Sequence, residues 1–119
     1  FTNSQFNPHR LLPAHLPVTL PHGDPNARSA LHLYIIRVPA GGFSRRRVHE
    51  RMLAEGIGVN VHYIPIYTQP YFAQFGYRTD EFPVANSYYE EALSLPMFPT
   101  LTDQEQDRVV CALASALTL

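Results

Sequence analysis

The chain has 119 residues, 45% of them hydrophobic and 16% charged, and a formal charge of −1, which suits one small globular domain with a single modest core and argues against a second. That near-neutral balance excludes the basic field of a nucleic-acid binder, and the run Arg45-Arg46-Arg47 stands alone. The apolar stretches are far short of the roughly 20 residues that span a bilayer, and no charged segment with an apolar one behind it opens the chain, so no membrane contact is expected and a cytoplasmic location is.

Pro8, Pro13, Pro17, Pro21 and Pro25 crowd the beginning of the chain. Each removes a backbone donor and restricts the residue before it, so 1–29 is expected to be an extended lead-in or linker and 30–119 the folded domain. The segment Leu31-His32-Leu33-Tyr34-Ile35-Ile36-Arg37-Val38 is rich in β-branched and aromatic residues, which predicts a strand with Leu31, Leu33 and Ile35 on one face and Arg37 turned to solvent. Pro39-Ala40-Gly41-Gly42 breaks it. Ser44 stands where an N-cap opens a helix to about Glu55, with Val48, Met52 and Glu55 on one side and Gly56 as its left-handed stop.

Residues 57–63 predict a second strand, in which Ile57, Val59 and Val61 alternate with Gly58, Asn60 and His62. The alternation sets His62 opposite the valines. Pro65 ends the strand, and Gln69 to Phe75, with Gly76 behind, reads as a short helix with Pro70 in its first turn and Tyr71 and Phe72 packing. From about Pro83 the spacing of Ala85, Tyr88, Tyr89 and Ala92 predicts a helix with those residues as its apolar stripe and Asn86, Glu90 and Glu91 as its polar side. Ser94-Leu95-Pro96 is expected to form no more than an edge strand, because proline cannot donate to a ladder. Thr102 and Glu105 fit a capping box, and Val109, Leu113, Ala116 and Leu117 mark the apolar stripe of a last helix. Cys111, the only cysteine, lies among Val109, Val110, Ala112 and Leu113 and is expected to be buried.

These elements define an α+β fold: a small, mostly antiparallel sheet of about three strands with helices packed on one face. The other sheet face is expected to stay open, an apolar surface of the kind that meets another domain or subunit.

Few residues carry recognisable chemistry. The six histidines show neither a pair at helical spacing with an acidic partner nor cysteine companions, so no metal site is expected. No serine sits in a nucleophile elbow, and Gly41-Gly42 lacks the lysine and further glycines of a phosphate loop. His62 and Tyr63 remain. A histidine ending a strand before a proline turn can donate or accept near neutral pH, and a neighbouring tyrosine hydroxyl can reach a phosphate or sugar oxygen, with Tyr67 adding a hydroxyl on the same turn. The same two residues also suit an ordinary satisfied strand end, and no partner carboxylate can be placed to decide between the readings.

Taken in order, His32-Leu33-Tyr34-Ile35-Ile36-Arg37, Ala54-Glu55-Gly56-Ile57-Gly58-Val59, Val61-His62-Tyr63-Ile64-Pro65-Ile66-Tyr67-Thr68-Gln69-Pro70-Tyr71, Phe82-Pro83-Val84-Ala85 and Leu93-Ser94-Leu95-Pro96-Met97-Phe98-Pro99 resemble the C-terminal part of the DegT/DnrJ/EryC1/StrS sugar aminotransferases. The resemblance runs from about residue 28 to the end of the chain. It is strongest to the UDP-4-amino-4,6-dideoxy-N-acetyl-altrosamine transaminase type, enzymes of surface-glycan precursor synthesis. It implies a fold-type-I, pyridoxal-phosphate enzyme that moves an amino group, usually from glutamate, to the 4-keto carbon of a nucleotide-linked sugar. In that enzyme this chain is the small domain, packed on a large domain within a homodimer, with His62, Tyr63 and Tyr67 on the substrate side. Two positions depart from the family pattern: Tyr67, where a second histidine is usual, and Asn86, where a glutamate is. The family's cofactor lysine and its companions lie in the large domain, and all nine basic residues here are arginine. The fragment alone is therefore expected to hold no cofactor, to contain no catalytic residue and to be inactive. A chain opening on Phe1 is expected to be part of a longer protein. Two other readings stay open, a stand-alone ligand- or protein-binding module and a degenerate, non-catalytic family member.

Overall fold

A computed structural model describes residues 15–30, 32–42 and 44–118. The first half of the expected lead-in, and Leu31 at the start of the first predicted strand, lie outside the described residues. Strand β1 is Tyr34–Arg37 and strand β2 is Ala92–Leu95. They pair antiparallel, with Tyr34 opposite Leu95 and Ile36 opposite Leu93. Because side chains alternate across a strand, those four share one face, and all four are buried. The buried face of β1 is thus the Tyr34, Ile36 and Val38 set, while Leu33 and Ile35 are half-buried. Burial also raises the Tyr34 hydroxyl above its ordinary pKa by desolvation.

The second predicted strand contracts to a single bridge. Asn60 pairs antiparallel with Ser94, donating to its carbonyl at 3.2 Å and accepting its N–H at 2.8 Å. On the outer side of β1, Thr19 and Arg37 exchange a comparable pair of bonds, each 2.9 Å. The lead-in is therefore partly docked: Thr19 bridges the sheet edge, and Leu16 and Val18 pack against the core. β2, expected at an edge, is central, flanked by β1 and by the Asn60 bridge. Pro96 follows its last residue and interrupts no ladder bond.

Helix α1, Arg45–Ala54, and the last helix, Asp103–Ala116, close the core face. Val48 and Met52 from α1 meet Val109, Ala112, Leu113 and Ala116 from the last helix, together with Ile57, Val59, Leu101 and Leu117. Two arginines fasten the pair of helices. Arg51 Nη1 donates to the Ala116 carbonyl at 3.2 Å, and Arg108 Nη2 donates to the Glu55 carbonyl at 3.1 Å, so each helix end has its orphan carbonyls met from the other helix. Gly56 follows α1 at φ 75°, the left-handed position the sequence required of it. Ser44 occupies the N-cap position of α1 with extended backbone, but its side chain makes no capping bond.

Between these elements run helix α2, Pro70–Ala73, and helix α3, Pro83–Glu91; the last helix is α4. Single turns of 3₁₀ helix precede both, at Ile66–Thr68 and Thr79–Glu81. Pro70 and Pro83 each stand in the first turn of their helix, where the missing N–H costs no bond. At α4 the capping box is complete: the Glu105 N–H donates to Thr102 Oγ1 at 3.2 Å while the Thr102 N–H donates to Glu105 Oε2 at 2.8 Å.

Four further expectations are corrected. Cys111 is exposed; α4 buries the stripe of Val109, Ala112, Leu113 and Ala116, and at 100° per residue Cys111 falls opposite it. The stripe expected of α3 is buried only at its end: Ala85 and Tyr88 face solvent, Tyr89 is half-buried and Ala92, already in β2, is buried, while Asn86, assigned to the polar side, is half-buried. Arg37 does not project freely into solvent but pairs with Glu91, Nε to Oε2 at 2.8 Å. Nor is the second sheet face open along β2: Ala92 and Ser94 on that face are 2% and 4% exposed.

Candidate functional site

His62 emerges from the segment that carries Ile57 and Val59 into the core. The alternation that buries the two apolar residues turns Asn60 and His62 to the second face of the sheet, as the sequence spacing implied. There the His62 ring meets Ser94, with Nδ1 to Oγ at 2.9 Å. Ser94 is locked in place by its ladder bonds, so the histidine is tied to the central strand. The His62–Tyr63 peptide bond is cis. The two rings sit edge to face with centroids 4.7 Å apart. Tyr63 is 71% exposed, and among the described residues its hydroxyl has no hydrogen-bond partner.

Tyr67 is held elsewhere. Its hydroxyl donates to Asn86 Oδ1, and Asn86 Nδ2 donates in turn to the Thr79 carbonyl. Its ring stacks on Phe82 at 4.4 Å with 16° between the planes. The structure thus brings His62 and Tyr63 together and engages the Tyr67 hydroxyl on α3. The two departures from the family pattern, Tyr67 and Asn86, are directly bonded to each other, a neutral pair in which a phenol donor faces an amide acceptor.

The turn that carries these residues is braced locally. Thr68 Oγ1 donates to the Pro65 carbonyl at 2.7 Å, and Gln74 Nε2 to the Tyr71 carbonyl at 2.7 Å. Aromatic rings continue from Tyr71 through Phe75, Tyr77 and Phe82 to Tyr67, neighbouring centroids lying 4.4–6.4 Å apart. Tyr71, expected to pack, is 67% exposed, and Ile64, Ile66, Phe75, Tyr77 and Val84 are exposed as well. Apolar surface therefore concentrates on this segment and on α3. Its charge is small and local, since Arg78 hydrogen-bonds Asp80 and holds that carboxyl below its usual range. Among the described residues no group of three His, Cys, Asp or Glu is placed to hold a metal ion.

Ser94 is the site residue that sequence reasoning missed, and Asn86, marked only as a departure from the family pattern, gave no sign of its bond to Tyr67. The signal for Ser94 was a lone hydroxyl in the apolar run Ala92-Leu93-Ser94-Leu95, readable only once that run is paired with residue 60.

His62 and Tyr63 thus stand together, one tied to the central strand and the other exposed, on an aromatic turn at the edge of a small α+β layer. The chain belongs to the DegT/DnrJ/EryC1/StrS aminotransferase family, whose sequence pattern matches residues 9–114. The spore coat polysaccharide biosynthesis protein SpsC of Bacillus subtilis (strain 168) is 38% identical over 89 residues, 71% of this chain and 23% of SpsC. The putative sugar aminotransferase Spr1654 of Streptococcus pneumoniae, in its PMP form, superposes with a TM-score of 0.80 at 25% identity, covering 87% of this chain and 27% of that one. DesV of S. venezuelae, solved with a ketimine intermediate, gives 0.79 at 28% identity, covering 89% and 28%. The chain spans about a quarter of the length of these relatives.

Proposed function

We propose that this chain is the C-terminal small domain of a pyridoxal-phosphate-dependent aminotransferase acting on a nucleotide-linked keto-sugar in surface-glycan precursor synthesis. Glutamate is the amino donor in this reading, the 4-keto carbon the acceptor, and the working enzyme a cytoplasmic homodimer. The observation that carries the proposal is the placement of His62 and Tyr63: adjacent rings, one anchored to the central strand and the other exposed, both with polar atoms unengaged among the described residues.

The cofactor itself does not fit these residues. Lysine is absent from the chain, so the attachment such an enzyme needs lies outside it. What this chain's own groups do is bind and orient: His62 and Tyr63 face sugar and phosphate oxygens, while Tyr67, its hydroxyl engaged by Asn86, and the exposed rings of the aromatic turn exclude water once the large domain covers them. His62→Ala in the full-length enzyme is expected to lower kcat/KM for the nucleotide sugar while leaving the cofactor's absorbance unchanged. Unaltered kinetics would return His62 to a structural role and remove the support for this placement.

A further inference from the structure

We infer that Ser94 is a positioning residue that fixes His62 as a hydrogen-bond donor, presenting Nε2–H to an oxygen acceptor on the bound ligand. The inference rests on the reading above only in naming that ligand a nucleotide sugar.

Ser94 sits where three segments converge. It is opposite Ile35 in the β1–β2 ladder and exchanges both backbone bonds with Asn60 on its other side. Its side chain is enclosed, the residue being 4% exposed, and among the described residues Oγ has the His62 Nδ1 contact as its hydrogen bond. A hydroxyl brings one proton and two lone pairs to that contact, and a neutral imidazole brings one donor and one acceptor.

Two arrangements satisfy the 2.9 Å distance, and they are not equivalent. If Nδ1–H donated to Oγ, the serine proton would be left without an acceptor among the described residues, and an unmade buried donor is the rarer and costlier defect. If the serine O–H donates to Nδ1, only a spare lone pair goes unused. The second arrangement wins, and it places the imidazole proton on Nε2. Among the described residues Nε2 has no partner. It is therefore a donor held at fixed orientation on a ring that meets Tyr63 edge to face, and the complementary group is an acceptor oxygen of a phosphate, carboxylate or carbonyl.

The test has two arms. Long-range ¹H–¹⁵N NMR on the chain reads the His62 tautomer directly: a single Nε2–H form is expected, giving way to a mixture in Ser94→Ala and restored in Ser94→Thr. A proton found on Nδ1 in the unaltered chain, or a tautomer ratio indifferent to Ser94→Ala, overturns the inference. In the full-length enzyme Ser94→Ala is expected to raise KM for the nucleotide sugar about 3- to 10-fold with kcat nearly unchanged, the range a single hydrogen bond carries. If His62→Ala raises KM and Ser94→Ala does not, the positioning role is wrong. If neither variant moves KM, the substrate reading fails, and the NMR arm still decides whether Ser94 sets the tautomer.

Discussion

The ion pair between Arg37 and Glu91 offers a clean test of how the sheet is tied to α3. Arg37 Nε and Nη2 both reach the same carboxylate oxygen, at 2.8 and 2.6 Å. The pair therefore lacks the two parallel bonds of a fork-on-fork arrangement, which lowers its worth. The side chains are 40% and 16% exposed, so the arginine is screened by solvent while the carboxylate is partly desolvated. Exposed pairs contribute about 0.2–1 kcal/mol, and hydrogen bonds to charged groups about 1.5–3 kcal/mol. With the arginine this open, the pairwise coupling should lie near the top of the first range, about 1 kcal/mol. Arg37→Met should cost about 1.5 kcal/mol in all, the excess arising from a Glu91 left unpaired in partial burial. At an m-value of about 1.5 kcal/mol/M, that is a fall of about 1 M in the urea midpoint. A double-mutant cycle with Glu91→Gln isolates the coupling, and repeating it in about 1 M salt, where the screening length is about 3 Å, should shrink it. A coupling below about 0.3 kcal/mol at low salt would refute the reasoning, leaving Arg37 a solvated residue after all.

Cys111 should react with a thiol reagent at nearly the rate of a free thiol while the chain remains folded, because it is exposed on α4; a thiol titrated only after denaturation would mean that the helix buries a different stripe. At the start of α4, Thr102→Ala should cost about 1 kcal/mol, read as a lowered thermal midpoint. Glu105 in the same capping box is held below its usual carboxyl pKa, first by the Thr102 backbone N–H and then by the Thr102 hydroxyl. A depressed folded-state value contributes stability that is complete above the ordinary range and lost as pH falls through the lowered one. Glu105→Gln should therefore flatten the acid side of the stability profile, and an unchanged slope would show that the box is not formed in solution.

Local signals were legible where one residue's own conformation decides the outcome. Gly56 at positive φ, Pro70 and Pro83 in first turns, and the Thr102–Glu105 box all follow from backbone chemistry within four residues. The placement of His62 opposite the core followed from period-two alternation. What the sequence concealed was pairing at a distance. Ser94 looked like an edge residue because Pro96 stands near it, yet a proline just past a strand leaves the strand's own bonds intact, and β2 gained neighbours on both sides. Arg37 looked free because its partner lies 54 positions away. The α3 stripe misled because spacing identifies which residues share a face without saying what that face meets. Ala85 and Tyr88 share one that the described residues leave open.

The two halves of the candidate site rest on different foundations. His62 is coupled to the most buried part of the fold: through Ser94 to β2, whose Leu93 is fully buried, and through Val59 to the same core. Tyr67 is coupled to α3, none of whose residues is buried, by one side-chain bond, and its ring stacks on Phe82 just before that helix. Elements with few buried contacts open at lower free energy than core strands. The aromatic turn therefore takes its shape from ring-on-ring contacts and local bonds, with several of its rings exposed. A site in which one donor is fixed by the sheet while the neighbouring wall completes its packing only on contact is suited to holding a ligand's polar group in register while closure is still under way. In the proposed enzyme, orientation of the nucleotide sugar would fall to His62, and the exclusion of water to the turn that carries Tyr67.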